Sequence, residues 1–157
     1  MSSAPPSCAI YVDADACPVK DEVLRVAERH GLTLHYVSNA WMRLPESPLV
    51  KRVLVAEGPD AADDWIAEQI GAHDIAVTAD IPLAARCLKK GAQVIGPTGK
   101  PFTEAGIGMA LAMRELSAHL RETGESKGYN ASFTRQDRSR FLEALELAVR
   151  RALDPKR

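Results

Sequence analysis

Aromatic side chains are scarce in this chain of 157 residues: Phe, Trp and Tyr together make up 5%. A core must therefore be built mostly from Val, Leu, Ile and Ala. Cysteine is sparse too. Cys8, Cys17 and Cys87 are odd in number and none stands in a CxxC spacing, which argues against a disulfide framework or a thiolate metal site. Free thiols in a reducing, cytoplasmic setting are expected. Long apolar runs are lacking as well: the longest, near Ile107–Met113, falls far short of the ~20 residues that cross a bilayer. Met1–Ser7 carries no basic region and no long apolar segment, so no export signal is expected, only a flexible tail at 1–7. The net charge of -1 argues against nonspecific adhesion to nucleic acid through bulk charge, while leaving room for a local basic surface. There is no internal repeat and no low-complexity segment.

What is present is ordinary globular composition, 46% apolar and 26% charged, at a length that suits one domain over 1–157. Short apolar runs alternate with helical patterns. Strands are expected near Cys8–Val12, Thr33–Val37, Lys51–Ala56, Asp74–Thr78 and Gln93–Ile95. Between them, Pro18 suits a first helical turn and Gly31, Gly71 and Gly91 suit helix ends. The segment 40–49, with Pro45 and Pro48, reads as a loop. After Gly99 the alternation stops: a long helix runs from Thr103 to about Glu122, a loop covers 123–132, and a last helix runs over 134–153. The fold class is therefore α/β: a three-layer sandwich with a central, mainly parallel five-stranded sheet, plus two C-terminal helices. Parallel strands put all their carboxyl ends on one edge, where ligands bind near the point at which strand order reverses.

Acidic residues gather at that edge. The first strand ends in Asp13 and Asp15, two apart and so on one face of an extended chain. The third is followed by Glu57, Asp60, Asp63 and Asp64, and the fourth by Thr78 and Asp80. Capping alone explains some of these: Asp60 with Asp63 resembles a capping box, Asp80 suits the cap before Pro82, and Asp64 suits a helix dipole. Capping accounts for one acid per helix and leaves Asp13, Asp15 and Asp64 in surplus. Carboxylates held together raise one another's pKa, and a hard divalent cation removes that penalty. Oxygen-only ligands suit Mg²⁺ or Mn²⁺, which orient water and neutralise a transferring phosphate.

Basic and polar residues surround the acids loosely. Lys20 lies one turn past Asp15, Ser38 and Asn39 end the second strand, Arg43 is in the next loop, Lys100 follows the glycine-bearing turn, and Arg138 stands between Arg135 and Arg140 in the last helix. Each alone is most simply a solvated charge; together they could hold a phosphate backbone. Trp41 could stack on a base, although burying a loop is the commoner job. Phe102 and Met109 read as core, Cys17 as a packing residue, and the four histidines share no ligand spacing.

These residues resemble a known family. Asp13-Ala14-Asp15-Ala16-Cys17-Pro18-Val19-Lys20, Asp60-Ala61-Ala62-Asp63-Asp64-Trp65-Ile66, Val77-Thr78-Ala79-Asp80-Ile81-Pro82 and Asp137-Arg138-Ser139-Arg140-Phe141 look like the bacterial YaiI/YqxD-like family, with similarity from about Ile10 to Arg151. That family is similar to PIN-like nuclease domains. The resemblance implies metal-dependent cleavage of RNA or DNA, with Asp13, Asp63 or Asp64, and Thr78 with Asp80 at the matching positions. The chain departs from the family pattern at Gly106, where a polar residue is usual, and at 128–132, where a glycine-proline-rich approach is usual.

The resulting expectation is a Mg²⁺- or Mn²⁺-dependent nuclease or phosphodiesterase. Asp13, Asp80 and Asp64 are the candidate metal ligands, Asp15 and Asp63 further catalytic acids, and Lys20, Ser38, Asn39, Arg43, Thr78, Lys100 and Arg138 the candidate substrate contacts. The partner implied is RNA or DNA and no membrane; a homodimer is compatible. Two other readings compete. A haloacid-dehalogenase-like phosphatase would use Asp13 as nucleophile, but it expects a hydroxyl where Cys17 stands. A catalytically idle module would bind RNA or protein without cleaving anything.

Overall fold

The structure is a computed structural model. It describes residues 8–14, 17–56, 58, 60–122 and 133–154, without the side chains of 117–122. The expected tail 1–7, the loop 123–132, Asp15 and Glu57 lie outside the described residues.

Eleven elements follow in order among the described residues: β1 (Ala9–Asp13), α1 (Lys20–His30), β2 (Thr33–Ser38), β3 (Val50–Leu54), α2 (Ala61–Gln69), β4 (Ile75–Val77), α3 (Ile81–Lys89), β5 (Gln93–Ile95), β6 (Pro101–Phe102), α4 (Glu104–Glu122) and α5 (Arg135–Leu153). The sheet order is β3-β2-β1-β4-β5-β6. The first five strands are parallel to their neighbours, while β6 runs antiparallel to β5. The sheet thus has six strands rather than five. The extra one is a two-residue pairing, Val94 with Phe102 and Ile95 with Pro101, made where the tight turn after β5 folds back.

The chain lays down β1, β2 and β3 outward in one direction, then returns to the far side of β1 for β4 and β5. Strand order reverses between β1 and β4, so the carboxyl ends of these two strands flank the crevice such sheets use for ligands.

Alternation along β1 divides the core. Ile10 and Val12 face one side, packed with Val23 and Ala27 of α1 and Phe141, Leu145 and Val149 of α5. Tyr11 faces the other, with Ala62 and Ile66 of α2 and Leu83, Ala84 and Cys87 of α3. The layers are therefore α1 and α5, the sheet, then α2 and α3, with α4 packed on α3. Asp13 continues the Tyr11 side and points toward α2 and α3.

Local chemistry sets the helix limits. Gly31 ends α1 in the left-handed region, φ 68°, which L side chains avoid. Thr134 and Asp137 form a reciprocal capping box at the start of α5. Pro18 sits in a turn two residues ahead of α1 rather than in its first turn. Two core expectations are corrected: Met109 is 70% exposed and Trp41 is 69% exposed. Met109 stands on the side of α4 turned away from α3, and the loop bearing Trp41 folds so that its ring lies beside Arg52 rather than under the chain. Among the described residues no helix is long and apolar enough to cross a membrane.

Candidate functional site

The ends of β1 and β4 make a cavity of about 210 Å³ walled by Asp13, Cys17, Thr78, Asp80 and Pro97, among others. Thr78 is the hinge of its polar side. It is buried, its hydroxyl donates to Asp13 Oδ2 at 3.0 Å, and the same oxygen accepts the backbone N–H of Asp80 at 2.9 Å. One hydroxyl therefore ties the Asp13 carboxylate at the end of β1 to the backbone of Asp80 beyond β4. Asp80 also caps α3, its Oδ1 accepting from Leu83 N–H at 2.8 Å. The capping role is real for Asp80 and leaves its second oxygen uncommitted by that bond.

Asp60 stands at the cap position of α2 but makes no side-chain cap bond, so the expected capping box with Asp63 does not form. Asp63 instead feels the cavity. Partial burial, then the carboxylates of Asp80, Asp13 and Asp60, push its pKa from 3.8 up to about 6, with Arg86 opposing. Burial is the largest cause, and the neighbouring carboxylates add to it. Asp64, one residue on, turns the other way and pairs with Arg86 at 2.7 Å, both half exposed.

The remaining candidates divide. Lys20 donates to the Cys17 carbonyl at 2.7 Å, which fastens the turn behind the cavity. Ser38 is buried and donates to the Ala40 carbonyl at 2.8 Å. Asn39 is exposed at the end of β2. Arg43 is exposed and shares a separate depression with Trp41 and Arg52, whose guanidinium lies 5.1 Å from the Trp41 ring centroid. Arg138 bonds the Pro18 carbonyl at 2.9 Å and both Glu22 oxygens, and lies over the Phe133 ring. It clamps α5 to the start of α1. Lys100 lines a different, larger groove beside α5. Asp15 is outside the described residues.

Cys17 is buried, and burial raises its pKa, which suits a packing thiol rather than a nucleophile. Sequence reasoning missed Pro97, which walls the cavity from the turn after β5. It also missed Asp74, whose carboxylate accepts from Ala9 N–H at 3.0 Å and Gly71 N–H at 2.8 Å, locking the start of β1 to the loop before β4. An acid at the amino end of a strand carried no signal to separate it from an ordinary surface charge.

Among the described residues no group of three His, Cys, Asp or Glu is set closely enough to hold an ion by itself. Asp13 and Asp80 on one cavity, with Asp63 nearby, still make an oxygen-only donor set of the kind Mg²⁺ accepts. That ion keeps several waters and commonly takes only one or two protein carboxylates.

A doubly wound, mostly parallel α/β sheet with carboxylates at its switch point defines the class of protein. The model of the family described as "Uncharacterized BCR, YaiI/YqxD family" matches residues 11–151, and the chain belongs to that family. Relatives include UPF0178 proteins of Rhizobium etli, 64% identical over 91% of this chain and 92% of that protein, and of Mesorhizobium japonicum, 62% identical over 94% and 96%. A third, from Parvibaculum lavamentivorans, is 62% identical over 93% and 98%. No solved structure matches the chain.

Proposed function

We propose that this chain is a Mg²⁺- or Mn²⁺-dependent phosphodiesterase that cleaves RNA or DNA in the cavity between β1 and β4. One observation carries the reading: Asp13 and Asp80, far apart in sequence, wall the same cavity and are joined through the Thr78 hydroxyl. Asp13 and Asp80 would hold the ion, and Asp63, beside them, would orient a water in the cavity or take its proton. With no ion bound, burial and the neighbouring carboxylates raise the Asp63 pKa to about 6; a bound cation would lower it and keep the carboxylate ready to accept a proton. The bound ion supplies a water of lowered pKa and neutralises charge on the phosphate. Asp64, held by Arg86, stands outside this set as an electrostatic neighbour. Cys8, Cys17 and Cys87 are all buried and outside any disulfide, in keeping with a reducing cytoplasm as the place of work.

The test has two parts. Labelled single- and double-stranded oligonucleotides are incubated with wild type in Mn²⁺ or Mg²⁺, and cleavage must appear and disappear with EDTA. Thermal melting in the same ions must show a cation-dependent rise. A protein that neither cleaves nor shifts is a binding module, and the enzymatic reading fails. The phosphatase reading is less favoured because the buried Cys17 thiol replaces the hydroxyl that chemistry uses.

A further inference from the structure

A second, wider depression lies away from the acids. It is a groove of about 770 Å³ between the turn after β5, β6, the end of α3 and one side of α5. Its floor is apolar, with Leu88, Val94, Phe102, Ala144 and Leu147. Lys100 and Arg140 stand at one end and Arg151 at the other. Eleven residues of helix separate the two arginines, roughly 16 Å along α5. None of these three cations is in an ion pair among the described residues. Two acids also line the groove. Asp137 is committed to the cap of α5, accepting from Thr134 N–H at 3.0 Å, and Glu143 is exposed. Three cations against these leave the rim net positive in a chain whose net charge is -1.

The end bearing Lys100 is built rigidly. Gly99 sits at φ 92°, and a Cβ there would meet the backbone of Arg140 at 2.7 Å. The turn is thus seated on α5, which fixes Lys100 and Arg140 at the same end. Pro97 of that turn walls the acidic cavity, so cavity and groove are the two sides of one turn.

The geometry points to this groove as a binding site for single-stranded nucleic acid, continuing from the acidic cavity over the 97–100 turn. Cations at both ends suit two backbone phosphates of one strand, with the bases between them turned sideways onto the apolar floor. A lone acyl anion needs a cation at one end only. Bases reach an apolar floor only when unpaired, so a single strand is selected over a duplex. The occupant is taken from the function proposed above, but binding here needs neither the ion nor cleavage.

The test is fluorescence anisotropy with a labelled eight-nucleotide single strand in EDTA. Wild type is compared with the Lys100→Ala/Arg140→Ala double variant, with Leu147→Glu, and with Arg25→Ala/Lys51→Ala, both exposed and outside the groove, as a charge-matched control. The double variant is expected to bind at least tenfold more weakly. Its log–log salt slope should fall by about 1.4, two phosphate contacts at ~0.7 each. Leu147→Glu should weaken binding several-fold, the control should match wild type, and a duplex of the same sequence should compete poorly. Leu147 is 49% exposed, so that variant is expected to fold, and melting curves check all four proteins. Equal affinity in the double variant and the control, equal competition by duplex, or displacement by octanoate at the concentration that adenosine monophosphate requires would each overturn the proposal. Groove-dependent binding in a protein that cleaves nothing in Mn²⁺ removes the nuclease reading and keeps the groove. Cleavage unaltered by the double variant, with unaltered binding, does the reverse.

Discussion

The turn between β5 and β6 has two unlike sides. On one, Pro97 borders a cavity of about 210 Å³ whose chemistry comes from strand ends: Asp13, Thr78 and Asp80. On the other, Lys100 rims a groove of about 770 Å³ made from the flank of a helix and the last strand of the sheet. Backbone pairing positions the first: β1 and β4 are hydrogen-bonded in register up to Val12 and Val77, so the residues just beyond them cannot drift apart. In the groove only the turn is comparably fixed, and the cations themselves hang on long side chains. Chemistry that tolerates little displacement belongs at the strand ends, and adaptable recognition belongs along the helix.

The sharpest way to break this contrast is at the carboxylates. Asp13→Asn and Asp80→Asn should each lower cleavage in Mn²⁺ by about 10²- to 10³-fold, an effect of the size seen when a group stabilising transition-state charge is removed. Asparagine still accepts the Thr78 hydroxyl and still caps α3, so melting temperatures should stay within a few degrees of wild type. A cleaving Asp13→Asn protein would strip the cavity of its assigned chemistry.

The turn itself comes next. Gly99→Ala combines a positive φ with a Cβ pressed against Arg140 backbone. It should cost about 2–4 kcal/mol from strain and overpacking, a fall of roughly 5–15 °C in melting temperature. An unchanged melting curve would show that the turn is not seated on α5.

Asp63 offers a pH test. Its folded pKa, about 6, lies above the ordinary 3.8, so between those values the folded state binds more protons than the unfolded. Its contribution is fully present below 3.8 and is lost as pH rises through about 6. Stability should therefore decline across that window, and Asp63→Asn should flatten the decline. If the cavity takes a divalent cation, Mg²⁺ should flatten it as well, by stabilising the carboxylate. The smallest effect is expected at Asp64→Asn. The exposed pair with Arg86 should contribute less than about 1 kcal/mol, and cleavage should fall far less than in the Asp13 variant. A loss as deep as that of Asp13→Asn would move Asp64 into the ion's immediate surroundings.

Much of this architecture was legible in the sequence because breakers fall where strands and helices change. Gly31 and Gly91 mark real helix ends, each at positive φ. β6 was not legible: two residues, one a proline, have no periodicity, and the pairing exists only because the turn folds back. Met109 was misread for a different reason. Apolar residues run nearly all the way round α4, and only its contact with α3 decides that Ile107, Ala110 and Leu111 are sheltered while Met109, Met113 and Leu116 face out. At the site, strand-end acids converge by topology, which a pattern of strands reveals. Asp63 and Asp64 could not be separated that way. Neighbours on a helix point about 100° apart, and which one looks inward depends on how the helix starts, here with no side-chain bond from Asp60.

The hydrogen bond from Thr78 to Asp13 joins positions 65 residues apart. A polypeptide emerging from the ribosome amino end first carries Asp13 early, then makes three further strands and two helices before its counterpart exists. Until residue 80 has emerged and β4 has docked against β1, the first acid has no companion from the other side of the crevice. A copy that ends before residue 80 lacks one wall of the cavity, and the crevice is complete only with the closed sheet.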